Sequence, residues 1–276
     1  MSVAPVAPPT VSAELPLTRT RGTVRVLPSR VVALCLVELQ KIRHDWTELA
    51  TRLVQPVLWL LIYGEAFTRL RVIPTGNLPY LDYLAPGIMA QSALFISIFY
   101  GIQIVWERDA GVLAKLMVTP TPRAALVTGK AFAAGIRSIS QAVAIMILSA
   151  ILGVGLTANP LRILGALVVV ILGSAFFACL SMTIAGLVLS RERLMGIGQA
   201  IMMPLFFASN ALYPVSVMPT WLRVINRVNP LSYEVDALRG LLLHQPTNLL
   251  VDLAVLVGCV ILGVAAASGL LRRLSR

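Results

Sequence analysis

Gln91, Phe95, Phe99 and Gln103 recur every four residues in this 276-residue chain, with Ser92 and Tyr100 beside them. Residues four apart share one face of an α-helix. The ladder offers aromatic rings to the apolar parts of a guest and amides to its polar groups, a lining suited to the path of an amphiphile. It suits equally well helix packing in which amides hydrogen-bond across an interface. Gln55 and Trp59, one turn apart around a kink-permitting Pro56, extend the candidate path. Phe206, Phe207 and Asn210 extend it again. The two adjacent rings could form a hydrophobic constriction that gates by dewetting, or could simply pack.

Bond-breaking chemistry is not legible. Gly129-Lys130 is followed by Ala131, and no glycine cradle precedes it, so there is no phosphate loop. There is no HExxH, no Asp-rich motif for Mg²⁺ and no intramembrane pair of aspartates. His44 and His244 read as boundary residues. Cys35, Cys179 and Cys259 have neither metal-ligand nor disulfide spacing. We therefore expect no catalytic residue and no metal. Glu65 and Asp252 fall near the ends of apolar segments, within reach of water or of Arg69 and Arg71.

The elements that must position the ladder are membrane spans. The chain is 58% hydrophobic and only 13% charged, about half the usual ~25% charged fraction. Six segments approach the ~20 apolar residues needed to cross a bilayer, near 49–67, 84–106, 131–155, 162–189, 196–213 and 249–271. An even number puts both termini on one side. Of 23 lysines and arginines, only Arg69, Arg71, Arg162, Arg223, Arg227 and Arg239 fall on the other side. The positive-inside rule then places both termini in the cytoplasm. The net charge of +11 is read as basic loops at the inner face of a cell membrane, with no nucleic acid partner.

Residues 1–28 hold Pro5, Pro8, Pro9, Pro16 and Pro28 among Ser and Thr, and read as a flexible tail. No charged stretch followed by an apolar run marks a signal peptide there, so the first span is expected to act as its own insertion signal. Residues 29–276 form one domain. Its first element is a helix over 30–46, capped by Ser29, with Val31, Cys35, Leu39, Ile42 and Trp46 on one stripe and Glu38, Lys41 and other charges beside it. Such a helix lies in the membrane interface.

Between spans five and six, Trp221, Leu222, Ile225 and Val228 form a short apolar stripe. Asn229 then caps a second helix that starts at Pro230. Two short helices dipping into the outer leaflet are expected. The polar interruption 106–130 carries a third short helix over 107–118, with Val112, Leu113, Leu116 and Met117 on one face and Glu107, Arg108, Gly111 and Lys115 opposite. Glu107 and Asp109 would complement the start of its dipole. The prolines at 120 and 122 stop it.

The stretch ERDAGVLAKLMVTPTPRAALVTGK resembles the first cytoplasmic loop of the ABC-2-type exporter permeases, which commonly reads E-R-x-x-G-T-L-x-x-L-x-x-T-P and then R and G-K; Val112 stands where that family often has Thr. Tyr213-Pro214, Pro219, Asn229-Pro230-Leu231-Ser232-Tyr233 and Leu238-Arg239 are similar to the family's outer-loop pattern. The resemblance covers 30–271 and is strongest to the daunorubicin-resistance-like drug and lipid exporters. It implies an all-α integral membrane fold with six spans, an interfacial helix, a cytoplasmic coupling helix and two short outer helices. It implies a second permease chain, identical or similar, and two ATP-binding subunits that carry ATP and Mg, with no cofactor on this chain. Glu107, Arg108, Gly111, Val112, Leu113, Lys115 and Leu116 would seat in the ATPase, and the interfacial helix, with Glu38, Lys41, Arg43 and Trp46, would also contact it. Gln55, Trp59, Gln91, Phe95, Phe99, Gln103, Phe206, Phe207 and Asn210 would line the path of a hydrophobic or amphiphilic compound moving outward. Export of a lipid-linked polysaccharide is the alternative within the family; a membrane enzyme or a passive channel is the alternative outside it.

Overall fold

The computed structural model describes residues 46–70, 73–76, 78–111, 123–188 and 190–274. All the elements among them are helices. The tail 1–28 and most of the expected interfacial helix lie outside the described residues.

The first is α1, Trp46–Leu58, which passes through a π-helical turn, Trp59–Gly64, into α2, Glu65–Leu70. Pro56 inside α1 has no N–H to give the carbonyl four residues back. That carbonyl belongs to Arg52, and it accepts instead from Gln141 Nε2 at 3.0 Å. The proline thus frees the acceptor that docks α1 onto a later helix.

The long helices follow: α3, Tyr80–Asp109; α4, Arg123–Ile151; and α5, Pro160–Val188. Then come α6, Arg191–Phe207, a 3-10 turn at Val215–Val217, α7, Thr220–Val228, α8, Pro230–Leu243, and α9, Leu249–Leu274. Among the described residues, four helices are long and apolar enough to cross a membrane: Tyr80–Asp109, Ala124–Ile151, Pro160–Val188 and Leu249–Leu270. The other two expected spans coincide with the run 46–70, interrupted by its π turn, and with α6, which has 17 residues.

Two expected spans shift at both ends by more than a turn. The third span starts earlier, because 123–130 is the opening of α4 rather than loop. It also ends earlier: Gly153 at φ 82° and the bond from Val154 N–H to Ser149 O close the helix. The fifth stops at Phe207 rather than running to 213. Ser209 Oγ donates to Phe206 O at 2.6 Å and accepts from Ala211 N–H at 3.2 Å, so side-chain bonds replace the helical ladder there.

At the centre lies α5, which packs on α3, α4, α8 and α9. It is apolar all round, as a helix that faces neighbours on one side and leaves Leu164 and Val168 exposed on the other would be in a membrane, and Phe177, Ala178, Cys179 and Val170 are fully buried. Small residues let α3 approach closely, the usual device where lipid removes the hydrophobic drive for helices to associate. Ser181 Oγ donates to Ile98 O at 2.7 Å. A Cβ on Gly101 would stand 2.4 Å from Ser181 Cβ and 2.8 Å from the Ala178 carbonyl oxygen. Gly101→Val should therefore cost about 3 kcal/mol, at the upper end for overpacking, because one obstacle is backbone. Thermal denaturation in detergent would show it, and a wild-type midpoint would refute the close contact.

The expected pair of short helices is present, with unequal surroundings. Helix α7 leaves Trp221, Val224, Ile225 and Val228 exposed. Helix α8 begins as expected: Asn229 Oδ1 accepts from Leu231 N–H at 3.1 Å, and Pro230 occupies the first turn. Asn229 Nδ2 also donates to Leu205 O at 2.7 Å, fastening α8 to α6. The rest of α8 is enclosed by α3, α5 and α9, so even Glu234 and Arg239 are buried.

Candidate functional site

The ladder of α3 opens into two adjoining cavities. The first, of about 290 Å³, is lined by Gln55 and Pro56 of α1, by Gln91, Ser92, Phe95, Ile96 and Phe99 of α3, and by Gln141 of α4, with Thr51 and Arg52. The second, of about 330 Å³, continues along α3 through Phe99, Tyr100, Ile102, Gln103 and Trp106, closed by Arg52, Arg137 of α4 and Met195 of α6. Arg52, Ile96 and Phe99 belong to both. Together they make one groove between α1, α3 and α4. Phe99 is 44% exposed and Trp106 48%, so both rings are available to a guest.

The structure therefore brings Gln55, Gln91, Phe95, Phe99 and Gln103 together and separates the other four candidates from them. Trp59 stacks on Tyr63 at 4.3 Å and meets Phe206 edge-on at 5.8 Å. Phe206 is fully buried in that contact, whereas Phe207 lines a separate apolar cavity of about 580 Å³ with Trp221, Ile225 and Val228. The two rings pack against each other with centres 5.3 Å apart, but only Phe207 faces that cavity. Asn210 is spent on structure: its Nδ2 donates to Asp236 Oδ1 at 2.6 Å. Sequence reasoning passed over Arg52, Arg137 and Gln141. Arg52 stands three residues before Gln55, and Arg137 four before Gln141, the spacings that place each pair on one helix face.

One end of the bundle is tied by charge. Lys130 Nζ of α4 lies 2.6 Å from Glu107 Oε1 of α3. Asp109 accepts from Arg108 at 2.8 Å and from Arg191 Nε of α6 at 2.6 Å, and the Arg191 guanidinium lies 5.9 Å from the centre of the Trp106 ring. Here the start of the expected helix over 107–118 needs correction. Glu107 and Arg108 are in the last turn of α3, and the chain breaks at Ala110–Gly111, with Gly111 at φ 71°. That left-handed backbone cannot continue a right-handed helix. The acids sit at the negative end of a helix dipole rather than the positive one, which is tolerable because Lys130 and Arg191 neutralise them. Val112, Leu113, Lys115 and Leu116 lie outside the described residues, as do Glu38, Lys41 and Arg43; Trp46 opens α1.

The opposite end is tied by Arg239. Its guanidinium lies 3.6 Å from the centre of the Tyr83 ring and donates to Asn210 O at 2.8 Å, Tyr83 O at 3.1 Å and Ala211 O at 3.3 Å. The expected exposure of the two terminal acids holds for one only. Glu65 pairs with Arg69 at 2.8 Å in the open, whereas Asp252 is 6% exposed, with Oδ2 lacking a partner among the described residues.

An all-helical bundle that includes, among its described residues, four helices long and apolar enough to cross a membrane is the architecture of a multi-pass membrane protein. Residues 29–243 match the ABC-2 type transporter family. The chain is 30% identical to a putative transport permease, ycf38, of Cyanophora paradoxa, over 71% of this chain and 68% of that protein. It is 25% identical to the daunorubicin resistance ABC transporter permease protein DrrB1 of Streptomyces coeruleorubidus over 86% of each. It is 27% identical to nodulation protein J of Rhizobium leguminosarum bv. viciae over 80% of this chain and 85% of that one. The chain belongs to the ABC-2 type transporter family and, within it, to the group of permeases that includes the daunorubicin-resistance proteins. Permeases of this family work with an ATP-binding subunit.

Proposed function

We propose that this chain is the permease subunit of an ATP-driven exporter of a hydrophobic or amphiphilic compound, drug-like or lipid-like. The observation that carries the reading is the groove, where rings and amides spaced along α1 and α3 meet in one open cavity. Its volume suits a small amphiphile better than a chain of sugars. In this reading the protein lies in the cell's inner membrane with six spans, adding 46–70 and α6 to the four membrane-long helices, and with both termini cytoplasmic. The end held by Glu107, Lys130 and Asp109 then faces the cytoplasm. The segment Gly111–Leu116 and the chain before α1 dock on two ATP-binding subunits that hold ATP and Mg, and a second permease chain completes the path. ATP-driven closure of those subunits would move the tied end and bias the bundle between inward and outward openings.

The test is reconstitution with a candidate ATP-binding subunit. That subunit should co-purify with the permease in mild detergent, and amphiphiles should stimulate its ATP hydrolysis. Gln91→Leu with Gln103→Leu should blunt the stimulation by tenfold or more and leave basal hydrolysis intact. No association, or stimulation indifferent to the groove, would sink the reading.

A further inference from the structure

We propose that Glu234 is a proton-binding site: α8 sits on α5 only while the Glu234 carboxyl carries a proton, so each departure of α8 from that seat releases one. The inference stands on how α8 packs and is independent of the export reading.

Helix α8 meets α5 at two notches. Leu241 lies over Gly165, its Cδ atoms 3.3 and 3.4 Å from where a Cβ would stand. Glu234, two turns earlier on the same face of α8, lies over Gly173. A Cβ on Gly173 would overlap Cδ and Oε2 of the Glu234 carboxyl and stand 2.7 Å from Oε1, so only a glycine leaves that carboxyl room. The two notches are alike in form but not in content: one takes a leucine, the other an acid.

Glu234 is fully buried, and both of its carboxyl oxygens lack a partner among the described residues. On the elements packed around α8, the titratable groups toward this end are Tyr80, Asp82 and Tyr83 of α3, Arg162 and Cys179 of α5, and Asp252 and Cys259 of α9. None of them donates to Glu234. The other polar groups of α8 are committed elsewhere. Arg239 is held by three carbonyls and the Tyr83 ring, Asp236 accepts from Asn210, and the Tyr233 hydroxyl donates to Arg227 O. A carboxylate with neither donor nor cation would be an uncompensated charge in an apolar interior, a state that a buried acid avoids by keeping its proton. Burial accordingly pushes the carboxyl of Glu234, which lies outside the spans, well above its usual range.

The consequence is a linkage between protonation and the seat of α8. In water a glutamate ionises near ~4.3. Between that value and the raised one, seated α8 holds a proton that unseated α8 does not, so the seat weakens about tenfold for each unit of rising pH. An apolar side chain of the same length would fill the notch without that penalty; the acid gives up stability and gains a response to pH.

The experiment follows hydrogen exchange of the α8 amides in the full-length permease in neutral detergent, from about pH 5 to about pH 8, with wild type read against Glu234→Met at each pH. The ratio of wild-type to variant opening should rise about tenfold per pH unit, because every other titrating group and the chemistry of exchange are common to both proteins. Glu234→Gln, which cannot ionise, should match the methionine variant. A ratio that stays constant within about threefold across the range, or a glutamine variant that keeps the wild-type slope, overturns the proposal. An infrared spectrum of the wild type needs no variant: a protonated-carboxyl band should persist at about pH 8, and its absence overturns the proposal as well.

Discussion

Arg239→Ala is expected to cost about 3–5 kcal/mol, the range for removing one member of a buried charged network. Arg239 is 4% exposed. Its guanidinium satisfies three backbone carbonyls belonging to α3 and to the turn after α6. Truncation leaves those acceptors buried without donors, at about 1–3 kcal/mol for each that water cannot reach. It also removes the cation from the Tyr83 ring and the positive charge 3.9 Å from Asp236. The detergent-solubilised protein should melt on the order of 10 °C lower. Arg239→Lys should recover only part of the loss, because an ammonium cannot reproduce the planar fork or its stacking. A midpoint within two degrees of wild type for the alanine variant would mean that α8 is held by apolar packing alone. The turn after α6 leaves its carbonyls pointing inward, and a single arginine from α8 collects them; that is why an arginine occupies the interior of the bundle.

At the other end, Glu107→Gln should lower amphiphile-stimulated ATP hydrolysis of the reconstituted complex by tenfold or more. Lys130 is 7% exposed and meets Glu107 through both carboxylate oxygens. With the charge gone from Glu107, the ammonium keeps a desolvated charge without its counter-ion. The cost is about 2–3 kcal/mol, below the fully buried value because the Glu107 side chain is 22% exposed. Glu107 also lies four residues before Gly111, where α3 ends. Releasing it from α4 loosens the very point at which movement of a docked segment would enter the bundle. The reciprocal exchange, Glu107→Lys with Lys130→Glu, restores the pair in mirror image and should recover at least a third of the wild-type stimulation. If Glu107→Gln couples normally, the pair has a structural role only. If the exchange is as inactive as the single variant, Glu107 itself is read by the partner.

Much of this was legible beforehand. The four-residue period of Gln91, Phe95, Phe99 and Gln103 survives in space because a helix converts spacing into a face without help from the rest of the chain. Asn229-Pro230 started α8 as expected, since a cap is made by adjacent residues. The helix expected over 107–118 was started too early: 107–109 close α3, because periodicity counts side chains and is blind to a backbone turned to φ 71° at Gly111, and 112–118 lie outside the described residues. Arg239 counted in the sequence only as a basic residue of the outer side; the bundle buries it, because Tyr83, Asn210 and Ala211 supply acceptors from segments far away in the chain.

By itself the sequence determined that the chain is helical and membrane-embedded and where most spans fall, since apolar length and the helical period are local properties. It also carried the family motifs. Only the tertiary structure decided that Arg52 and Arg137 line the same groove as the ladder, that Phe206 is buried while the neighbouring Phe207 opens onto a different cavity, and that Glu107 answers to Lys130. Those arrangements depend on contacts between residues far apart in the chain, 89 positions in the case of Gln141 and the Arg52 carbonyl. What sets them is the close packing of small residues around α5, which chooses the faces of neighbouring helices that meet.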